Sequence, residues 1–166
     1  MRSLIENSVV IRPAQLADVR IVHQFIRSYY EFDDIPFEGK IIRAGLLTLL
    51  RSKSAGQAFV ICLASKPIGY AILTYGFDLE FGGTVALMTD LYLEPGYRGL
   101  GVGKKTILFL QKFCQRLRIR VLELQVERQN KSAHSFYQAL GFIAHDRIPM
   151  SKRMGRLRQK RRSKYG

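Results

Sequence analysis

The chain lacks several features that mark common classes of protein. No apolar run approaches the roughly 20 residues that a membrane-spanning helix needs. Its first residues, MRSLIENSVVIRP, contain no continuous apolar stretch, so we expect no secretory signal peptide. The three histidines are scattered without metal-ligand spacing, so we expect no metal site. These absences favour a cytoplasmic protein that does not enter the membrane.

Cysteine is scarce as well. The chain contains two cysteines, Cys62 and Cys114, and both lie inside apolar segments without a CxxC spacing. In a reducing compartment such residues behave as small hydrophobic side chains. We therefore expect two buried thiols, in agreement with a cytoplasmic location.

Acidic residues are outnumbered by basic ones, 13 to 27, which gives a formal net charge of +14. Residues 151–166 contain eight basic residues and no acidic one, so this short stretch carries more than half of that charge. We predict one domain over residues 1–150 and a basic tail over 151–166, which ends the last strand and is then flexible. Such a tail could bind nucleic acid or an acidic surface, or it could be a solvated terminus.

The apolar pattern predicts helices that alternate with strands, and hydrophobic residues make up 47% of the chain, as in globular domains. Three consecutive strands in the middle have hairpin-like connections, which favours antiparallel pairing. We therefore predict an α/β or α+β fold with a mixed sheet flanked by helices. The predicted strands are 8–14, 57–65, 68–81, 84–95, 120–127 and 142–154, and the predicted helices are 14–32, 40–54, 103–119 and 131–141.

The stretch LYLEPGYRGLGVGKKTILFL, residues 91–110, places four glycines and three basic side chains directly before a helix. Glycine lets backbone approach a ligand closely, and the first N–H groups of a helix attract an anion, so a phosphate or pyrophosphate is the expected guest. Two common phosphate motifs do not match. Arg98 stands where a P-loop needs its first glycine, and Val102 stands where a dinucleotide fingerprint needs its third.

A different motif does match. The segment YRGLGVGKK resembles the R-G-x-G-x-G/A acyl-CoA-binding motif of the GCN5-related N-acetyltransferase (GNAT) superfamily. The later segment LQVERQNKSAHSFYQALGF resembles the strand and short helix of the same family, with its N-x-x-A-x-x-F-Y-x-x-x-G-F pattern intact. The two motifs occur in the family's order, and the resemblance covers about residues 8–150.

This resemblance implies a mixed, mostly antiparallel central sheet flanked by helices and splayed at its central strands. It also implies acetyl-CoA as co-substrate. The pantetheine arm would pair with the backbone of β-strand residues, the pyrophosphate would lie on the glycine loop, and one asparagine would bond the cofactor from the start of the later helix. The implied residues are Leu91, Tyr92 and Leu93 for pantetheine, Arg98, Gly99, Leu100, Gly101, Val102, Gly103 and Lys104 for pyrophosphate, and Asn130.

The resemblance further assigns two catalytic roles. Tyr137 matches the family's general acid, which donates a proton to the departing sulfur, and Asp90 matches an acidic position that can serve as general base. Simple strand alternation places Asp90 on one face together with Met88 and Tyr92. Structural roles remain open for each residue: Tyr137 could be a packed aromatic, Asp90 a salt-bridge partner and Asn130 a helix cap.

The acceptor is expected at the loop between the first two helices, YYEFDDIPFEG, where Glu31, Asp33 and Asp34 suit a cationic amine. The same acids could instead cap the second helix in a solvated loop. We therefore predict an acetyl-CoA-dependent N-acetyltransferase, a monomer or homodimer, that acts on the primary amine of a small cationic molecule. The alternatives are a transferase for protein or peptide amines, and a non-catalytic regulator that binds CoA or nucleic acid.

Overall fold

The computed structural model describes residues 8–152 and 154. Most of the predicted basic tail therefore lies outside the described residues. None of the helices in the described part of the chain is long and apolar enough to cross a membrane.

Five strands form one sheet in chain order: β1 (Val9–Pro13), β2 (Gly56–Leu63), β3 (Lys66–Asp78), β4 (Gly83–Leu93) and β5 (Val121–Leu124). The pairs β1–β2, β2–β3 and β3–β4 are antiparallel, whereas β4 and β5 are parallel. The chain must cross over the sheet to enter β5 in the same direction as β4, and a helix makes this crossing. The predicted mixed, mostly antiparallel sheet is confirmed.

Four helices cover the sheet: α1 (Val19–Phe32), which follows a 3-10 turn at Leu16–Asp18, α2 (Gly39–Arg51), α3 (Val102–Arg116) and α4 (Lys131–Gln138). The apolar residues of α1 and α3 recur at helical spacing and are buried against the strands. Of α2 only Leu46 is fully buried, and α4 has no fully buried residue. The helices α1 and α2 lie on one face of the sheet, while α3 and α4 lie on the other.

Each face has its own hydrophobic cluster. The cluster on the first face, called the α1/α2-side cluster here, is built around Val22, Phe25, Ile26, Leu46, Val60, Tyr70, Ile72 and Tyr92. The cluster on the second face, called the α3-side cluster, is built around Phe59, Ile61, Leu73, Met88, Val102, Ile107 and Leu110. The strands β2, β3 and β4 contribute side chains to both clusters in alternation, whereas β1 and β5 contribute to the α3-side cluster. The sheet therefore separates two cores of different composition.

The predicted last strand, 142–154, is wrong for the residues described. Residues 142–152 and 154 form no strand. Ile143, Ile148 and Met150 are 80%, 72% and 93% exposed, so their apolar side chains give this segment no buried face to hold it against the sheet. Pro149 also removes a backbone donor that a ladder would need.

The fifth strand is shorter than the predicted 120–127 because its partner turns away. The β4–β5 ladder joins only Val85–Met88 to Val121–Leu124. β4 then continues for five more residues to Leu93, paired with β3 alone among the described strands. The two central strands therefore splay apart beyond Met88, as the resemblance implied.

Candidate active site

The glycine loop ends in a helix start that is open to an anion. Gly99 and Gly101 have φ values of 73° and 86°, a region that glycine enters without steric cost. Gly101 caps α3, and its carbonyl accepts the first helical bond from Lys105 N–H at 3.0 Å. The N–H groups of residues 102–104 precede that bond, so they have no acceptor within the helix and point along its positive end.

The side chains of the loop have a different role from its backbone. Val102 is fully buried in the α3-side cluster, and Leu100 is packed against it. Gly103 faces α4, since a Cβ built on it would lie 3.6 Å from Cζ of Phe136. These contacts fix the loop between sheet and helices, and they leave its backbone amides as the groups that face outward.

Arg98 lies at the mouth of the loop, but its side chain is directed back to the protein. Its Nε donates to the Leu93 carbonyl at 2.9 Å. Its guanidinium lies 4.5 Å from the ring centre of Phe32 and 5.5 Å from that of Tyr92. Arg98 therefore joins Phe32 at the end of α1 to Leu93 at the end of β4. The sequence pattern did not indicate that Phe32 would contact the glycine loop.

The splayed part of β4 presents backbone groups at an open edge. The Glu94 N–H donates to the Ile68 carbonyl at 3.0 Å. From this pair onward, every second residue of an antiparallel strand directs its N–H and C=O groups at the partner strand, and the residues between them direct theirs away from it. The backbone of Tyr92 consequently faces Tyr70 of β3, whereas Leu91 and Leu93 face the side that β5 has left. The backbone groups of two of the three residues predicted to pair with pantetheine therefore face away from β3, and the pairing itself stays a prediction.

A β-bulge in β4 changes the orientation of Asp90. Ile72 pairs with Asp90 while its neighbour Leu73 pairs with Met88, so Thr89 is an extra residue in the strand. Met88 is buried in the α3-side cluster, whereas Tyr92 is buried on the α1/α2 side. The prediction that Asp90 shares a face with Met88 is wrong, because strict alternation fails at the bulge. Asp90 shares the α1/α2 face with Tyr92.

Asp90 is held by two hydroxyl groups. Tyr70 donates to Oδ1 at 3.2 Å, and Thr89 donates to Oδ2 at 2.8 Å. Burial raises the pKa of Asp90, while the two hydrogen bonds favour the ionised form and lower it in part. The predicted alternative, a salt bridge to arginine, is not what the side chain makes.

Tyrosines surround this carboxylate. Burial raises the pKa values of Tyr29, Tyr30 and Tyr70, and the negative charge of Asp90 raises them further. All three phenols therefore stay protonated at neutral pH. Sequence reasoning missed them because they come from α1 and β3, and only the tertiary fold brings them to Asp90.

Tyr137 lies on the opposite side of the sheet. It packs on the α3-side cluster, with its ring 5.1 Å from that of Phe136 and 5.6 Å from that of Phe142. Burial raises the pKa of Tyr137, which keeps its proton on the phenol oxygen. Asp90 and Tyr137 thus approach β4 from different faces.

Asn130 caps α4 through its side chain. Its Oδ1 accepts a hydrogen bond from Ala133 N–H at 3.0 Å. This is the structural role that the sequence left open for it. Because the side-chain oxygen of Asn130 accepts the capping bond, the side-chain Nδ2 is the group that could donate a hydrogen bond to a cofactor.

The acids of the α1–α2 loop do not converge on Asp90. Glu31 is exposed and pairs with Arg27 at 2.8 Å. Asp33 is exposed and interacts with Tyr29. Asp34 is also exposed, at a left-handed φ of 52°. All three side chains are exposed, whereas Asp90 is largely buried and bonded to Tyr70 and Thr89.

A cavity of about 190 Å³ opens beside Asp90, between α1, α2 and the centre of the sheet. A larger cavity of about 360 Å³ lies between α3, the start of β5 and Phe142, away from Asp90. Among the described residues, no group of three or more His, Cys, Asp or Glu is arranged to hold a metal ion.

Comparison with known proteins assigns the class. The family described as Acetyltransferase (GNAT) family matches residues 20–142. The chain is 29% identical over 151 residues to thialysine N-epsilon-acetyltransferase of Bos taurus, covering 80% of this chain and 83% of that protein. The chain belongs to the GNAT family, and it is an acyltransferase.

Solved structures show the same fold. An integron cassette protein from the mobile metagenome of Cole Harbour Salt Marsh superposes with a TM-score of 0.79 at 22% identity, covering 92% of this chain and 94% of that one. Aminoglycoside N-acetyltransferase AAC(6')-Iy, in complex with CoA, superposes with a TM-score of 0.74 at 18% identity, covering 87% and 94%.

Proposed function

We propose that the protein transfers an acetyl group from acetyl-CoA to the primary amine of a small cationic molecule. The observation that carries this proposal is the position of Asp90, partly buried beside the open edge of β4 and next to a cavity. A largely buried carboxylate with a raised pKa beside a cavity is suited to bind an amine and to remove its proton. The acyltransferase family and the amine acceptors in the names of related proteins support this reading.

The residues present fit acetyl-CoA. The N–H groups before the first bond of α3 suit its pyrophosphate, with Gly99 and Gly101 giving the backbone room. The edge groups of Leu91 and Leu93 that β5 leaves suit the pantetheine amides, except that the Leu93 carbonyl already accepts from Arg98. When bound, acetyl-CoA would supply an acyl group activated as a thioester.

Asp90 would act on the amine. Its carboxylate, held by Tyr70 and Thr89, would bind the ammonium group and remove one proton, directly or through water. Burial raises the pKa of Asp90 and so brings it closer to the pKa of the ammonium group. A smaller difference between the two pKa values makes the proton transfer easier.

Tyr137 would act on the sulfur side. Its phenol retains a proton at neutral pH and would donate it to the departing sulfur. With the base on one face of β4 and the acid on the other, the two proton transfers would take place on opposite sides of the reacting carbonyl. Both cysteines are buried free thiols, which agrees with the cytoplasmic location that we propose for this enzyme.

The proposal is tested by following release of the free thiol of CoA from acetyl-CoA with a panel of amines. We expect turnover with at least one small primary amine and none with its tertiary counterpart. Calorimetry with acetyl-CoA alone provides the control for cofactor binding. Tight binding of acetyl-CoA without turnover on any amine would contradict the proposal and favour a CoA-binding regulator.

A further inference from the structure

We infer that the hydroxyl group of Thr89 relays the proton from the acceptor amine to Asp90, which makes Thr89 a further catalytic residue of this site. The inference rests on the proposed function and deepens it, because it names the group through which the base receives its proton. It also gives the β-bulge of β4 a chemical role, since the extra residue of the strand is the one that meets the amine.

The bulge places Thr89 and Asp90 on the same side of the strand. In a regular strand, neighbouring residues point to opposite faces of the sheet. Thr89 is the extra residue of the bulge, and it lines the same cavity as Asp90. Its Oγ1 reaches Oδ2 of Asp90 at 2.8 Å. A hydroxyl group and a carboxylate that are adjacent in sequence therefore meet because the strand is bulged.

The direction of this hydrogen bond decides what Thr89 can offer to a substrate. An ionised carboxylate only accepts hydrogen bonds, so the single O–H group of Thr89 is directed at Asp90. The lone pairs of Thr89 Oγ1 then remain for another donor. An ammonium group carries only N–H donors, so it is a suitable partner for these lone pairs.

The two hydroxyl groups that bond Asp90 differ in exposure. Tyr70 is fully buried and donates to Oδ1 at 3.2 Å, whereas Thr89 is exposed. The carboxylate of Asp90, which is largely buried, accepts from both. An amine that arrives from solvent therefore meets the Thr89 hydroxyl before the carboxylate. Tyr70 supports the negative charge from the interior and has no access to the amine.

The proton transfer balances in one concerted step. The N–H bond of the ammonium group breaks, its electron pair stays on nitrogen, and the proton binds Oγ1 of Thr89. The original hydroxyl proton of Thr89 moves at the same time to Oδ2 of Asp90. The amine becomes a neutral nucleophile, Thr89 keeps one proton throughout, and Asp90 becomes a carboxylic acid that later releases its proton to water.

A supporting hydrogen bond and a relay differ in how their loss depends on pH. Burial raises the pKa of Asp90, and the bonds from Thr89 and Tyr70 lower it in part. The phenols of Tyr29 and Tyr30 on α1 also face Asp90 and stay protonated, while α2 adds no titratable side chain to the cavity lining. Loss of either bond should move the rise of activity to higher pH, whereas loss of a relay lowers the rate at every pH.

The test compares Thr89→Val with Tyr70→Phe, since each variant removes one hydroxyl group from Asp90 and keeps a side chain of similar volume. The kcat is measured between about pH 5 and about pH 8.5, below the pKa of roughly 10.4 of a lysine-like ammonium group, so that the amine still needs a base. The substrate is the amine that the wild type acetylates fastest among butylamine, phenethylamine and cadaverine.

We expect Thr89→Val to lower kcat by about 10²-fold across this range, within the contribution of general acid–base catalysis. Tyr70→Phe should shift the profile to higher pH and recover to within about threefold of the wild-type kcat at its upper end. Thr89→Ser keeps the hydroxyl group and should retain at least about a third of the wild-type kcat. All three variants should bind acetyl-CoA like the wild type in calorimetry.

Thr84→Val is the matched control, because it makes the same chemical change in the same strand, where residue 84 pairs with Phe77 at the other end from Asp90. It should keep wild-type activity at every pH. Recovery of Thr89→Val at high pH to the level of Tyr70→Phe, or a Thr89→Ser variant as slow as Thr89→Val, would overturn the relay and leave the proposed function intact. Absence of turnover by the wild type with every amine would remove the proposed function and the relay with it.

Discussion

The two faces of the sheet are built from different materials. On the α3 side Phe59 is the one aromatic ring among the buried members of the cluster, and the other rings pack around its edge. The fully buried polar side chain on this side, Thr106, donates to the Val102 carbonyl at 2.9 Å. On the α1/α2 side, Phe25 stacks parallel to Tyr70 at 6.5 Å and lies 6.0 Å from Tyr92, and Asp90 stands among these rings.

The two faces differ in composition because each supports a different feature of the candidate site. The α3 side fixes a backbone loop, and dry packing is the best way to keep backbone amides in place. The α1/α2 side keeps a partly buried carboxylate, which needs hydroxyl donors and therefore tyrosines. If the proposed function holds, we expect substitutions on the α3 side to change cofactor binding, and substitutions on the α1/α2 side to change which amine reacts and at what pH.

The largest effect that would sharpen this comparison is expected at the glycine loop. Gly101→Val places a β-branched side chain at a φ of 86°, where it is strained, and next to the first amides of α3. We expect loss of detectable acetyl-CoA binding in calorimetry, with the circular dichroism spectrum retained.

Gly96→Ala is the matched control, since nothing lies within 4 Å of a Cβ at that position and its φ is not left-handed. It should bind acetyl-CoA like the wild type. Wild-type affinity in Gly101→Val would remove the loop from the cofactor site.

The next effect concerns the acid. Tyr137→Phe removes one hydroxyl and keeps the ring contacts with Phe136 and Phe142. We expect kcat to fall by about 10²-fold, within the range of general acid catalysis, with little change in acetyl-CoA affinity or Tm.

Tyr75→Phe makes the same chemical change at another half-buried tyrosine on the α3 side, where burial raises the pKa to about 12. This control should retain full activity. Full activity in Tyr137→Phe as well would show that water or another group protonates the sulfur.

The smallest effect is expected from Asp90→Asn, which should raise the Tm by an amount that depends on pH. Because burial raises its pKa, the folded protein holds the Asp90 proton more tightly than the unfolded chain does, and stability falls as pH rises through the folded-state pKa. Asp90→Asn removes this penalty. We expect a small rise in Tm at pH 7 that vanishes once the pH is below 3.8, the ordinary pKa of Asp.

Asp18→Asn provides the opposite case. Arg12 bonds both oxygens of Asp18, at 2.7 and 2.8 Å, and holds the pKa of Asp18 below its ordinary value. Here the ionised form stabilises the fold above that ordinary pKa, so the variant should lower Tm at pH 7, and the loss should shrink as the pH falls. A change of the same sign in both variants would contradict the assigned pKa directions.

Local sequence predicted much of this molecule. The 3.6-residue spacing of Val19, Val22, Phe25 and Ile26 indicated α1, and the glycines before Val102 indicated the anion-binding end of α3. These features depend on neighbours in the chain, so the chain alone reveals them.

Other features depend on partners that are distant in sequence. The bulge at Thr89 exists because β3 pairs with β4 in two registers, and no property of residues 84–93 alone shows this. Phe32 meets Arg98, and Tyr70 meets Asp90, only after the sheet has formed. The last predicted strand failed for a related reason, since an alternating pattern cannot show whether an apolar face will be available to receive it.

The bulge at Thr89 makes the two faces of this strand depend on how many residues it contains. A substitution within residues 84–93 changes one side chain, and deletion of Thr89 itself would leave Met88 and Asp90 on the opposite faces that they occupy now. Deletion of any other residue of the strand would instead move the residues between the deletion and the bulge to the opposite face, because the side-chain period of a strand is two. The position of Asp90 is therefore encoded in a count of residues as much as in their identity, and we expect most insertions and deletions here to be tolerated far less than replacements.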